Sequence, residues 1–214
     1  SQIGCLIDCP FCATGHQGFN RNLSSAEIIG QVLLAKQALR QELNQDHSIT
    51  NIVFMGMGEP LANFSETIKA IKILTDPNGF NLSRRRVTIS TSGLVPQIMK
   101  LADYVNVSLA ISLHAPFNKL RDELVPINRR HPIEALLDAC WFYAKHGRLK
   151  TVTFEYTLLK GVNDQPGHAR QLCKLLKDRP AKVNLIPFNT FPGVAYQPTP
   201  IYQINEFRNI LLES

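Results

Sequence analysis

The sequence predicts an α/β protein: a partial, TIM-like (β/α)6 barrel, with a parallel sheet and helices packed outside it. Three observations lead there. Short runs of β-branched and large apolar residues alternate with stretches whose apolar residues recur every three or four positions, the alternation that builds parallel sheets. Six such units can be traced, and none opens on the Gly-x-Gly-x-x-Gly turn of a dinucleotide fold, which favours a barrel over an open doubly wound sheet. The residues with chemical potential each follow a predicted strand, where barrel folds carry their sites.

Residues 1–4 are read as the end of the first strand. Ser24-Ser25-Ala26-Glu27 has the spacing of a capping box, in which Ser24 caps and Glu27 reaches back. Ile28, Val32, Leu39 and Leu43 then share one face of a helix. Asn51–Met55 reads as a short buried strand. Ile68, Ile71 and Leu74 mark the next helix, which the turn residues Asp76-Pro77-Asn78-Gly79 stop. Val87–Thr91 is the third strand, and a brief helix follows Gly93. Tyr104–Leu113 is the fourth strand, apolar enough for burial on both faces. Pro132 suits the first turn of a helix that runs to Gly147. Lys150–Leu159 is the fifth strand, Pro166–Asp178 a helix, Ala181–Pro187 the sixth strand and Gln203–Leu212 the last helix. The stretch Asn189–Pro200, with Pro192, Pro198 and Pro200, is long for a connector and is expected to be a functional loop.

The 214 residues suffice for one large domain, and no linker, internal repeat or low-complexity tract divides them. Hydrophobic residues make up 44% and charged residues 19%, which excludes a disordered chain. No apolar run is long enough to cross a membrane, and the N-terminus is not a signal peptide. Five cysteines, clustered three, one and one, do not make a secreted disulfide framework. Clustered thiols need a reducing compartment, so a cytoplasmic location is expected. The net charge of +6 favours a polyanionic partner such as RNA or DNA. The chain begins without Met and ends inside a predicted helix, so both ends are expected to be trimmed from a longer protein.

Cys5, Cys9 and Cys12 stand in the run C-L-I-D-C-P-F-C. Three thiolates this close can hold three corners of an iron–sulfur cube and leave one iron open for chemistry. The alternative is zinc, with His16 as a fourth ligand in C-x3-C-x2-C-x3-H. Phe54-Met55-Gly56-Met57-Gly58-Glu59-Pro60 follows the second strand, and its glycines let a ligand approach the backbone. Alone, it could also be a tight turn with Glu59 in solvent. Ser90-Thr91-Ser92-Gly93 ends the third strand and offers hydroxyls for a ribose or carboxylate, or a helix cap. Ser112-Leu113-His114-Ala115-Pro116 ends the fourth strand, where His114 is a ligand contact or a structural hydrogen-bonder. Asn189 follows the sixth strand, with an amide able to read an adenine or ribose edge or to form a turn. Arg84-Arg85-Arg86 and Arg129-Arg130-His131 are phosphate contacts or solvated faces. Cys140 and Cys173 lie among helical leucines and read as small buried hydrophobes.

Together these motifs resemble the radical S-adenosylmethionine (SAM) superfamily: C-x3-C-x2-C with Phe11 before the third cysteine, then Gly-Glu-Pro after the second strand. Within it, the runs S-Q-I-G-C-L-I-D-C-P-F-C, Q-G-F-N-R-N-L, F-M-G-M-G-E-P-L, A-I-S-L-H-A-P and N-L-I-P-F-N are similar to RlmN-type adenine carbon-2 methyltransferases. The Q-G-F-N-R-N-L run favours these over the related carbon-8 enzymes. The resemblance implies a radical SAM barrel in which Cys5, Cys9 and Cys12 ligate a [4Fe–4S] cluster and the open iron takes the amino and carboxylate groups of SAM. Gly58 and Glu59 would hold the methionine part through backbone contacts, and Ser90, Ser112, Leu113, His114 and Asn189 the rest of SAM. It implies an adenosine of 23S ribosomal RNA as substrate, and one in tRNA, with two SAM molecules per turnover. A flavodoxin-like or ferredoxin-like reductant and a monomeric state are expected with it. Carbon-2 of adenine is electron-poor, so ordinary methyl transfer fails there and radical addition is needed. In the family a methyl-carrying cysteine and a resolving cysteine complete the reaction. They are expected beyond Ser214 and before Ser1, together with an N-terminal accessory domain, and neither Cys140 nor Cys173 falls in a matching motif.

Overall fold

In the computed structural model, the structure describes residues 1–43, 49–147 and 149–213. The chain starts with two short strands, β1 (Gln2–Gly4) and β2 (Phe19–Asn22), which pair antiparallel with Gln2 opposite Asn22. A bulge between Ile3 and Gly4 breaks the register. Gly4 has φ 74°, and a Cβ on it would lie 1.6 Å from the Gly18 carbonyl oxygen. Only glycine permits that approach. The ladder encloses the cysteine loop and the single helical turn α1 (Ala13–His16).

Helix α2 (Ser25–Leu43) follows. Its expected capping box is present: the Ser24 amide donates to Glu27 Oε2 at 2.9 Å, and the Glu27 amide to Ser24 Oγ at 3.2 Å. Of the expected apolar stripe, Ile28 is buried and Val32 and Leu39 half-buried, while the side chain of Leu43 lies outside the described residues. Leu33 and Leu34 are 54% and 67% exposed, because α2 packs on α3 (Phe64–Thr75) along a narrow face.

Five parallel strands form the sheet, in the order β3 (Ile52–Phe54), β4 (Val87–Thr91), β5 (Ser108–Ser112), β6 (Val152–Leu158) and β7 (Ala181–Pro187). Ile89 lies opposite Leu109, Ala110 opposite Thr153, and Phe154 opposite Val183. The connections run through α3, α4 (Val95–Tyr104), α6 (Ile133–His146) and α7 (Pro166–Leu176), and α8 (Ile201–Leu212) follows β7. Ile71, Leu74, Ile89, Ile98, Ile111 and Phe154 are fully buried between sheet and helices. Removing such side chains from water is the main stabilising term. Among the described residues no helix is long and apolar enough to cross a membrane.

The α/β partial barrel expected from sequence is therefore present, with differences of detail, among them that the edge strand β3 leaves Val53 exposed where a buried strand was expected. The first strand pairs with β2 outside the parallel sheet, since its short run is turned aside by the glycine bulge. The fourth strand starts at Ser108 and not at Tyr104, which closes α4 with its ring edge-on to Phe64 at 5.5 Å. Helix α5 (Asn118–Leu124) was not foreseen; its charged residues leave too few apolar positions to show a helical period.

Candidate functional site

The C-terminal ends of the strands open into a cavity of about 360 Å³. Cys5, Cys9 and Cys12 form one wall, with Phe11, Thr14 and Gly15. The other walls carry Gly56, Gly58 and Glu59 after β3, Ser90, Thr91 and Ser92 at β4, Ser112 and His114 at β5, Glu155 and Thr157 of β6, and Ile186 of β7. Thus the structure brings together the three cysteines, Gly58, Glu59, Ser90, Ser112 and His114. Leu113 and Asn189 do not line the cavity. Leu113 is fully buried and turned into the core, and Asn189 is exposed past the end of β7. A larger cavity of about 930 Å³ lies away from the thiols, between α7, α8 and β7, where the half-buried Cys173 sits. Cys140 is buried in α6 as expected.

The cysteine loop is held by its own backbone. The Cys5 amide donates to Gly18 O at 3.1 Å, the Cys12 amide to Cys9 O at 3.0 Å and the His16 amide to Cys12 O at 3.2 Å. Thr14 Oγ1 donates to Gly56 O at 3.0 Å, which ties the loop to the turn after β3. Gln2 makes the same connection from the hairpin: its Oε1 accepts from the Glu59 amide at 2.9 Å and its Nε2 donates to Asn22 Oδ1 at 2.8 Å. Gly58 has φ 80° and lies against Gln2.

Glu59 is not a solvated turn residue. It is 2% exposed, and its carboxylate accepts from the Leu61 amide at 2.9 Å and the Ser92 amide at 2.7 Å. Burial raises its pKa, and those amides partly offset the effect. His114 holds φ 56° and is buried. Its Nδ1 accepts from the Thr157 amide at 3.0 Å, so the proton of the neutral ring is on Nε2. Burial, with the nearby Arg121, lowers its pKa to about 3. Its ring meets Phe11 edge-on at 4.8 Å. Glu155 is 5% exposed; Asn184 Nδ2 donates to one of its oxygens at 2.7 Å, and burial raises its pKa. Burial, followed by the mutual repulsion of neighbouring thiols, raises Cys9, and burial raises Cys5.

Arg121 lies behind the ends of β4 and β5, fully buried. Its Nη2 donates to Ser92 O at 2.7 Å and Ser112 O at 2.9 Å, its Nε to Leu113 O at 3.1 Å and its Nη1 to Asn128 Oδ1 at 2.8 Å. The exposed Arg84, Arg85 and Arg86 precede β4, at the end of the sheet opposite the cavity. Arg129 and Arg130 are exposed beside α5, on the cavity side.

A family model described as the radical SAM superfamily matches residues 1–173. The chain belongs to that superfamily. This radical SAM chain is 54% identical over 99% of its length to "Dual-specificity RNA methyltransferase RlmN" of Alkalilimnicola ehrlichii, spanning 58% of that protein. It is 53% identical over 99% of its length to the protein of the same name from Pseudomonas putida strain W619, spanning 56% of it. The chain thus spans somewhat more than half the length of the curated relatives it matches. A crystal structure of a radical SAM methyltransferase from Sphaerobacter thermophilus superposes with a TM-score of 0.94 at 45% identity, over 99% of this chain and 61% of that one. Streptococcus suis SuiB, solved with S-adenosylmethionine, shares the fold alone, with a TM-score of 0.66 at 13% identity over 99% of this chain and 45% of that one.

Membership of the radical SAM superfamily implies a [4Fe–4S] cluster and SAM as cofactors. The donor set fits the cluster. Three half-buried thiols from one loop face a common cavity, and cysteine thiolates are the ligands such a cube takes. His16 does not line that cavity; its Nε2 donates to Pro10 O at 2.8 Å and its ring packs on Phe191.

Proposed function

We propose that the chain is the cofactor core of a radical SAM RNA methyltransferase that acts on carbon-2 of an adenosine in 23S rRNA and in tRNA. The observation that carries this reading is one cavity holding the three thiols and the strand-end residues in a chain 53–54% identical to proteins named for dual-specificity RNA methylation. In it Cys5, Cys9 and Cys12 hold the cluster. The backbone of Gly58 and Glu59, Ser90, Ser112, Leu113, His114 and Asn189 bind SAM, Leu113 through its backbone and Asn189 from the rim. The cofactors supply the one-electron cleavage of SAM that makes attack on an electron-poor carbon feasible.

The chain's own groups orient and shelter that chemistry. The φ 80° turn at Gly58 lines the cavity. The Glu59 carboxylate latches that turn to β4 through the Ser92 amide. His114, neutral, holds its Nε2 proton as a donor. Phe11, packed on His114, and Phe188, buried under the cysteine loop, keep water from the thiols. Cys140 and Cys173 lie outside the cavity, and on this reading the methyl-carrying and resolving cysteines fall outside residues 1–214. A low-potential flavodoxin-like or ferredoxin-like protein supplies electrons, and the enzyme works as a cytoplasmic monomer.

Anaerobic reconstitution of the full protein tests this. About four iron and four sulfide per chain are expected, falling at least tenfold in Cys9→Ala, with 2-methyladenosine formed in rRNA and tRNA. Residues 1–214 alone are expected to bind cluster and SAM and to form no 2-methyladenosine. Stoichiometric zinc in place of iron, or methylation at carbon-8, would overturn the reading.

A further inference from the structure

Among the described residues Arg121 forms no ion pair, and Asp122 reaches it only through Asn128. Arg121 is fully buried, and all four of its hydrogen-bond acceptors, Ser92 O, Ser112 O, Leu113 O and Asn128 Oδ1, are neutral. Among the described residues the ion pairs are Arg21–Glu27 and Lys69–Glu66, both elsewhere. A lone guanidinium in the interior is costly unless an anion lies within reach of its field. Ser92 and Ser112, whose carbonyls it holds, line the cavity that Cys5, Cys9 and Cys12 face from the other side. Leu120 and Leu124, which flank Arg121 on α5, share an apolar cluster with Cys9 and Phe11, so the helix that carries the guanidinium packs against the thiol wall. An anion held on the cysteine side of the cavity therefore lies within reach of its field.

We infer that Arg121 is the built-in counter-ion of the cluster and sets its reduction potential. The inference rests on the reading that Cys5, Cys9 and Cys12 hold a [4Fe–4S] group. Three thiolates on a 2+ cube give a net charge of −1, and one electron from a low-potential donor makes it −2, with no bond or proton exchanged. A fixed cation nearby stabilises the second state more than the first, more strongly in a dry interior than in water. Arg121 touches no reacting atom and acts through its field and through the carbonyls it positions.

The test is a redox titration of the reconstituted full chain, with dithionite as titrant and the electron paramagnetic resonance of the reduced cluster as readout, alongside iron content. Arg121→Gln is expected to lower the reduced-to-oxidised ratio at least tenfold at the wild-type midpoint, a fall of 59 mV for a one-electron couple. Arg121→Lys, which keeps the charge, is expected to hold that ratio within threefold. Asp122→Asn removes a negative group that acts on Arg121 and preserves an oxygen for Asn128 Nδ2; it is expected to raise the ratio. A purely structural role gives the opposite sign in Arg121→Gln, because loosening the wall admits water, which favours the more highly charged reduced state. With iron content intact, an unmoved or raised midpoint in Arg121→Gln overturns the inference, as does an equal fall in Arg121→Lys. Should Arg121→Gln fail to retain iron, an unmoved midpoint in Asp122→Asn overturns it. Wild-type protein that takes up no iron refutes the underlying reading first, and the iron assay shows that before any titration.

Discussion

Gly58 illustrates how little freedom the site leaves to single residues. At φ 80° a side chain is already strained, and a Cβ would stand 2.5 Å from Gln2 Cβ and 2.8 Å from Gln2 Cγ. Gln2 cannot yield, since it is buried and bonded at both ends of its amide. Gly58→Ala is expected to cost about 1–3 kcal/mol in backbone strain alone and to weaken SAM binding at least tenfold, as measured by calorimetric titration of the reconstituted protein. The Gly-Glu-Pro run pointed to this turn from sequence, and the three cysteines, Ser90, Ser112 and His114 were legible in the same way, because each belongs to a motif at a strand end. The burial of Glu59 was not legible, since a glutamate in a turn reads as solvated until the Ser92 and Leu61 amides are seen to meet it. Gln2 and Arg121 carried no signal at all: each is a single polar residue whose partners lie far along the chain.

At the scale of elements, the loops after β5 and β6 are joined by one side chain. Asn163 is fully buried; its Nδ2 donates to His114 O at 2.8 Å and Thr157 O at 2.7 Å, and its Oδ1 accepts from the Leu159 amide at 2.7 Å. Asn163→Ala strands three backbone groups away from water. It is expected to cost about 3 kcal/mol and to lower Tm by roughly 6–12 °C in a domain of this size, read by calorimetry. The strands β4 and β7 match their sequence bounds because the β-branched run of β4 begins just after Arg86 and Pro187 stops β7. The helix α5 and the strand β2 escaped notice. β2 is four exposed residues whose structure comes from pairing with β1, and pairing across a loop leaves no local pattern.

For the molecule as a whole, the buried His114 ties stability to pH. Its pKa is about 3 in the fold against an ordinary 6.5, so the unfolded chain binds the extra proton. This contribution is complete above pH 6.5 and is lost as the pH falls from there toward 3, at up to about 1.4 kcal/mol per pH unit. Glu59 and Glu155, raised by burial, act in the opposite sense: their contribution is complete below their unfolded pKa and fades as pH rises through the folded value. His114→Asn tolerates the left-handed backbone and retains an acceptor for Thr157. Urea unfolding at pH 7.5 and 5.5 is expected to show a difference smaller by about 1 kcal/mol in this variant. The general architecture was readable because six strand-like runs and their spacers define a parallel α/β fold. The separate hairpin was not, because a glycine bulge decides where that ladder turns. The two sides of the cavity come together at different sequence separations. The thiol side is a short ring closed by the Cys5 amide on Gly18 O, and closing a short ring costs little chain entropy. The facing side draws on positions from Phe54 to Ile186 and exists only once five distant strands lie abreast, which is slow. On the proposed reading, the cluster would find its three sulfurs early, and the wall that faces it would be completed only with the finished sheet.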